Sequence, residues 1–233
     1  MLARAILALV LVCSAGAEVF DYGAEWRLMR AGWARLTWYP GQAQLFLETT
    51  GFVGTLYHVK DDYKVSYSDK YCASTAVMNA EEGSKHREIT VHYNTPPGKA
   101  ERVERDLKNG NEVVETKQIE VPPCVHDIIA GLTRLRHVPL KVGQKLELPL
   151  SDGKKSVSTR VEVQKAERVK TPAGEFDTLR LEAFLYHGVL YRRKAHLYVW
   201  LTNDARRIPV QIRVKMAFYL GTVTLQLEKE WDQ

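Results

Sequence analysis

The chain has 233 residues, 45% of them apolar and 26% charged, with a formal charge of +5 at neutral pH. That length and apolar content suit one folded domain with a substantial core. The charges are spread along the chain with no recognition motif beside them, so nucleic acid is not an expected partner.

In chain order, the first segment holds one cation, Arg4, then an apolar run from Ala5 to Val12, then Ala15-Gly16-Ala17. Charge, apolar run and small-residue site in that order make residues 1–17 a secretory signal peptide cleaved after Ala17. The run is too short to span a bilayer, and no later stretch is a transmembrane candidate. Residues 18–233 are then expected to form a single exported, periplasmic β domain. Cys13 would serve a lipid anchor, but Val12 precedes it where the lipid-modifying pathway takes a small residue, so the anchored form is the lesser alternative. After cleavage Cys72 and Cys124 remain, and an oxidising compartment permits a disulfide between them. Two separate buried thiols are the alternative, and spacing does not choose between them.

Turn signals recur about every eight to twelve residues, the rhythm of an all-β domain. Pro40-Gly41 separates Trp33–Tyr39 from Ala43–Thr49, Glu82-Gly83 precedes Glu88–Tyr93, and Thr95-Pro96-Pro97-Gly98 ends that strand. Asn109-Gly110 joins Glu101–Leu107 to Glu112–Val121 as a tight hairpin, and Asp152-Gly153 joins Lys145–Leu150 to Ser156–Val163. Thr171-Pro172-Ala173-Gly174 turns the chain before Phe176–Tyr186. The clearest hairpin follows: Ala195, Leu197, Val199 and Leu201 alternate with His196, Tyr198 and Trp200, and after a polar turn Ile208, Val210, Ile212 and Val214 alternate with Pro209, Gln211 and Arg213. Thr222–Glu230 closes the series. A dozen or more sequential strands predict an antiparallel meander that closes into a barrel or curves into a half-barrel, since a flat sheet of that width leaves long edges exposed. Glycines at 32, 51, 54 and 221 are candidates for bulges or sharp bends.

One segment departs from period two. Asp127 stands at an N-cap position, and Ile128, Ile129, Leu132 and Leu135 fall on one face of a short helix, with Thr133, Arg134 and Arg136 facing away. Arg134, Arg136 and His137 suit its C-terminal dipole, and it ends before Pro139. The helix is expected to cover or plug the sheet, either as a lid over an apolar cavity or as part of the core.

No motif forces a particular chemistry. There is no nucleophile elbow, phosphate-cradling loop or zinc signature, so neither cofactor, metal nor enzymatic activity is expected. His58, Asp61 and Asp62 are interleaved with Lys60 and Lys64 as a charged loop would be. His86 and His92 stand roughly 20 Å apart along an extended strand, too far to share a metal ion. Cys124, His126 and Asp127 would make the least improbable catalytic group, but neighbouring residues of an extended chain face opposite sides. The aromatic residues are more suggestive: Trp26, Trp33 and Trp38 early, then Tyr57, Tyr63, Tyr67 and Tyr71, then Tyr186, Tyr191, Tyr198, Trp200, Phe218 and Tyr219. Rings with polar tips line a cavity for an amphipathic ligand, or serve as core and girdle.

Several stretches together resemble a bacterial exported family, domain of unknown function DUF3108. They are Val121-Pro122-Pro123-Cys124-Val125-His126-Asp127, Leu132–Arg136, Pro139–Gly143, Val169–Asp177, Val199–Asp204 and Arg207–Val210, with Trp33 and the Val59–Tyr63 region in the usual order. The resemblance implies an exported β protein and names no activity. Trp200-Leu201 with Pro209-Val210 is also similar to a hairpin of the periplasmic lipoprotein carriers, half-barrels that hold acyl chains under a helical lid; those carriers have an acidic residue where Thr202 stands here. The combined expectation is a non-enzymatic envelope protein holding a lipid or other amphipathic molecule. Trp33, Trp38, Leu132, Leu135, Leu197, Val199, Trp200 and Val210 are the tentative lining. The alternative is an interaction module for other envelope proteins, using a sheet edge or basic face.

Overall fold

In the computed structural model, which describes residues 16–185, 195–215 and 221–231, the strands form two meanders. The first runs β1 (Glu18–Trp26), β2 (Met29–Tyr39), β3 (Gln42–Thr49), β4 (Val59–Tyr67), β5 (Ala73–Glu82), β6 (Lys85–Asn94), β7 (Lys99–Asp106), β8 (Glu112–Glu120). The second runs β9 (Lys145–Ser151), β10 (Ser156–Thr171), β11 (Gly174–Leu185), β12 (Ala195–Thr202), β13 (Pro209–Lys215), β14 (Thr222–Trp231). They join where β1 pairs antiparallel with β14, giving one fourteen-stranded sheet in the order β8-β7-β6-β5-β4-β3-β2-β1-β14-β13-β12-β11-β10-β9. The sheet stays open, with β8 and β9 as its edges. Helix α1 (Gly51–Leu56) links β3 to β4, and helix α2 (Ile128–His137) lies on the path from β8 to β9. The signal segment up to residue 15, with Cys13, lies outside the described residues, as do Tyr186, Tyr191, Phe218 and Tyr219.

Period-two alternation sets the inner face. Phe20 and Tyr22 of β1, Leu36 and Trp38 of β2, Leu179 and Leu181 of β11, Val199 and Leu201 of β12, Val210 of β13 and Leu227 of β14 are all buried in one core. Along β4 to β7 the inward positions are smaller, with Ala73, Ala76, Ala80 and Ala100 among them. That leaves room for other segments to pack into the curve. The turn between β9 and β10 enters it: a Cβ on Gly153 would lie 2.8 Å from both Cγ atoms of Val91, a contact only glycine permits. The Tyr93 hydroxyl donates to the Ser151 carbonyl at 2.9 Å.

A strap from Cys124 to Asp127 stitches the curve from the other side. Ala73 N–H donates to the Val125 carbonyl (2.8 Å), His126 N–H to Pro149 (2.9 Å) and Ser151 N–H to His126 (2.9 Å). Cys72 and Cys124 form a disulfide, with Cα atoms 4.9 Å apart. Closing a loop with a sequence separation of 52 restricts the unfolded chain by about 4 kcal/mol in the chain-entropy account.

Helix α2 differs from expectation on one side. Thr133 and Arg136, assigned to solvent by the helical period, are buried, Arg136 to 5% exposure. The helix lies inside the curve rather than on top of it, so more than one of its faces meets protein. Trp38 Nε1 donates to Thr133 Oγ1 at 2.8 Å. The Arg136 guanidinium lies 4.1 Å over the Trp38 ring and donates to Glu18 Oε2 (2.7 Å) and the Arg206 carbonyl (3.1 Å). Arg136 thus ties the helix to the first residue of β1 and to the β12–β13 turn.

Other boundaries also moved. The strands β1, β4 and β5 and helix α1 carry no strong period signal, and β10 continues to Thr171 past a bulge between Val163 and Lys165. Gly51 and Gly54 belong to α1, while Gly32 meets the Glu48 carbonyl so closely that a Cβ would sit 2.0 Å from it. Asn109-Gly110 is part of a longer loop, because the Asp106 carboxylate accepts from the backbone of Lys108 and Asn109 and extends the turn.

Two expected outcomes follow from these ties. Arg136→Ala lowers the urea midpoint by the equivalent of about 2–3 kcal/mol, since it strips the guanidinium from Trp38 and Glu18, while Arg134→Ala changes it by under about 0.5 kcal/mol. Cys72→Ser with Cys124→Ser costs up to about 4 kcal/mol, and reduction of the wild-type chain has the same effect in the same assay.

Candidate functional site

A cavity of about 320 Å³ lies between β3–β7, the start of α2 and the β9–β10 turn. Its walls are Leu45, Leu47, Tyr63, Ala76, Met78, Ile89, Val91 and Tyr93 from the sheet, partly covered by Ile128 and Ile129. That volume suits one short chain or a small ring system.

Asp127 closes one end. Its Oδ1 accepts from Ile129 N–H (3.0 Å) and Ala130 N–H (2.9 Å), so it caps α2, and the Tyr63 hydroxyl of β4 donates to Oδ2. Burial pushes the Asp127 carboxyl up, and these hydrogen bonds oppose it. Burial also drives the Tyr63 hydroxyl far above its ordinary value, so it stays a donor.

The other end is charged. Arg102 donates to Glu104 and Glu115, both at 2.6 Å, and Lys154 reaches Glu115 at 2.8 Å. Arg87 pairs with Glu82 and, at 3.1 Å, with Glu104. Burial would raise the Glu104 carboxyl, but Arg102 and Arg87 hold it below the ordinary range. These ions pair with one another, Arg87 Nε alone among them staying buried without a hydrogen-bond partner among the described residues, and they pin the turn to β7 and β8. Asp61 is different: it is 8% exposed, lines the cavity, and its Oδ1 has no hydrogen-bond partner among the described residues. Burial, with Glu82 adding repulsion against a weaker pull from Arg87, raises its pKa to about 7. Asp61 is therefore the polar group of this cavity that protein contacts leave unused.

None of the eight residues expected from the sequence as lining borders this cavity. Trp38, Leu132, Leu135, Leu197, Val199 and Val210 pack in or against the main core. Trp33 and Trp200 point to the opposite side of the sheet: Trp33 packs on Phe46 at 4.9 Å, and Trp200 Nε1 donates to Glu167 at 2.9 Å. Parity explains it, since Trp33 and Trp38 are an odd number of positions apart on one strand, as are Val199 and Trp200. The Cys124-His126-Asp127 group is committed to structure, with Cys124 in the disulfide, the His126 ring against the Tyr71 carbonyl at 2.6 Å and Asp127 capping the helix. Among the described residues no group of three metal-ligating side chains comes together.

The family described as "Protein of unknown function (DUF3108)" matches residues 21–228. The chain belongs to the DUF3108 family. Among solved structures, this DUF3108 chain is similar to a β-barrel-like protein of domain of unknown function DUF1849 from Brucella abortus, with a TM-score of 0.56, 10% identity, and 93% of this chain and 98% of that chain covered. That likeness shows the fold alone. A DUF1089 family protein from Pseudomonas aeruginosa aligns at a TM-score of 0.41 and 14% identity, over 79% of this chain and 90% of that one. No curated protein sequence matches the chain.

The Asp61 shift gives the DUF3108 domain a pH dependence with a fixed sign. A carboxyl with a folded pKa near 7 and an unfolded pKa of about 3.9 holds its proton more tightly in the native state. Stability from this group is therefore full below about pH 4 and lost as pH rises through 7. Asp61→Asn is expected to raise stability at pH 8 by about 1–2 kcal/mol, after discounting for solvent screening, and to leave it nearly unchanged at pH 4. Urea titrations at the two pH values read both outcomes.

Proposed function

We propose that this DUF3108 protein is a non-enzymatic, exported binding protein of the cell envelope that holds one small apolar or amphipathic molecule beneath α2. The observation that carries the reading is an apolar cavity whose one uncommitted polar group is the buried Asp61 carboxyl. The apolar part of the ligand lies among Leu45, Met78, Ile89, Val91 and Ile129, and Asp61 accepts a hydrogen bond from its polar end. Export is supported by the signal-like N-terminus and by the disulfide, which suits the oxidising periplasm. The tentative lining set from Trp33 to Val210 serves the core and the outer face, so it supports the cavity without touching the ligand.

A second reading rests on β8. It is an edge strand, and Val113 and Val114 stand exposed on it, as a strand that accepts another protein by β-augmentation would have them. Glu112, Glu115, Lys117 and Glu120 on the same strand act against indiscriminate pairing. Cross-linking in the envelope through residue 114 tests it: a single specific partner supports this reading, and a smear of products removes it.

Titration calorimetry with n-decanol tests the cavity. The probe has one chain and a hydroxyl donor for Asp61, and binding at one site with a negative heat-capacity change is the expected result. Met78→Trp fills the cavity and should weaken the affinity at least tenfold with the melting temperature retained. Equal affinity in wild type and Met78→Trp would remove the cavity as the site.

A further inference from the structure

On the side of the sheet away from the core, β11 to β14 and the end of β1 enclose a groove of about 770 Å³. It is separate from the cavity, being built from the opposite set of alternating residues. Its floor is the Tyr198–Trp200 pair of β12, with ring centroids 6.2 Å apart. Two guanidiniums lean onto these rings from opposite sides, Arg180 of β11 at 5.8 Å over Tyr198 and Arg213 of β13 at 5.2 Å over Trp200. Lys215 and Arg27 bring the cations of the lining to four, and Glu25 is its one carboxylate, already held by Gln226 at 3.1 Å.

The nearby acids are spent elsewhere. Glu167 accepts from Lys165 and Trp200, both within 3 Å, and stands 3.9 Å from Arg180. Glu182 takes His196 at 2.6 Å and Gln164. Among the described residues neither Arg213 nor Lys215 has a carboxylate within ion-pair distance, and Arg180 Nε is buried without a hydrogen-bond partner. Four cations gathered around two rings against one lining carboxylate, Glu25, and one 3.9 Å approach from Glu167 to Arg180 leave Arg213 and Lys215 as an anion site without its anion.

The rim carries a second signal. The β1–β2 turn is made of Arg27 and Leu28, both in the left-handed region (φ 49° and 68°), where glycine or asparagine is usual. Leu28 lines the groove and is 95% exposed, and Met29 beside it is also exposed. A branched apolar residue is thus kept in an unfavourable backbone conformation at full exposure beside a cationic groove, a combination that costs stability and gains no packing among the described residues.

We propose that this rim and groove dock the protein on an anionic phospholipid surface, with a headgroup phosphate between Arg180, Arg213 and Lys215 and Leu28 entering the acyl boundary. The exposed Leu28 favours a membrane-borne phosphate over a free one, because a dissolved anion has no use for it. The site is independent of the cavity beneath α2.

Co-sedimentation of the mature protein with vesicles tests it, using phosphatidylglycerol vesicles, phosphatidylcholine vesicles and, in parallel, inorganic pyrophosphate as competitor. Binding to phosphatidylglycerol alone, lost near 1 M salt where the screening length is about 3 Å, is the expected result. Arg213→Gln with Lys215→Gln should weaken it at least tenfold. Leu28→Asn should weaken it several-fold while raising the melting temperature, because asparagine relieves the turn. Met78→Trp, which fills the cavity, should leave vesicle binding intact. No binding to phosphatidylglycerol, equal binding to both vesicles, or retention by the double variant would overturn the proposal. Pyrophosphate binding through Arg213 without vesicle binding would overturn the membrane as the source of the phosphate.

Discussion

The arrangement depends on the Asp127 carboxylate. Four structural parts meet there: the strap tied by Cys124, the first turn of α2, Tyr63 on β4 and the end of the cavity. A cap of this kind contributes about 1 kcal/mol to a helix in water. Here the same oxygens also satisfy a buried tyrosine, so losing them would leave three donors unpaired inside the protein. The helix is too short to be stable by itself, with ten residues. It holds its place because Asp127 fixes its start, and Thr133 and Arg136 fix its middle and end against Trp38 and Glu18. An open sheet of fourteen strands needs such a filler, since its curve is too wide for its own alanine-rich inner positions to close.

Where α2 and the β9–β10 turn stop filling the curve, the cavity begins. Its chemistry follows from the strand register. Asp61 and Asp62 are adjacent, so they face opposite sides: Asp62 meets Lys64 and Gln44 on the solvent side, while Asp61 is carried inward without a partner. Nearby, Arg87, Arg102 and Lys154 share Glu82, Glu104 and Glu115 in a closed network. One sheet thus separates a paired ionic rim from the unpartnered Asp61 carboxyl, and carries on its other side a groove in which cations outnumber carboxylates.

Much of the fold was legible because hairpins write themselves locally. The β12–β13 pairing follows from strict alternation, with the intervening turn held by Asp204 accepting from the backbone of Arg206 and Arg207. The helix was legible from Asp127 and its apolar spacing. What escaped was long-range. Nothing in β1 announces that it pairs with β14 some two hundred residues later, and β5 hides its inward face behind alanines. Thr133 and Arg136 look solvent-facing on a helical wheel, and only a helix enclosed on more than one side makes them interior. The cavity itself lay beyond reach, because it is bounded by segments from both meanders; parity alone, however, separates Trp33 from Trp38 and Trp200 from Val199.

As a ligand site, the cavity is occupied when the protein is taken from the cell. Native mass spectrometry of the protein purified gently from the cells that make it, with the disulfide intact, reads this. A bound mass of single-chain size, lost from Met78→Trp, is the expected result. A clean ligand-free mass for the intact wild-type protein would contradict it.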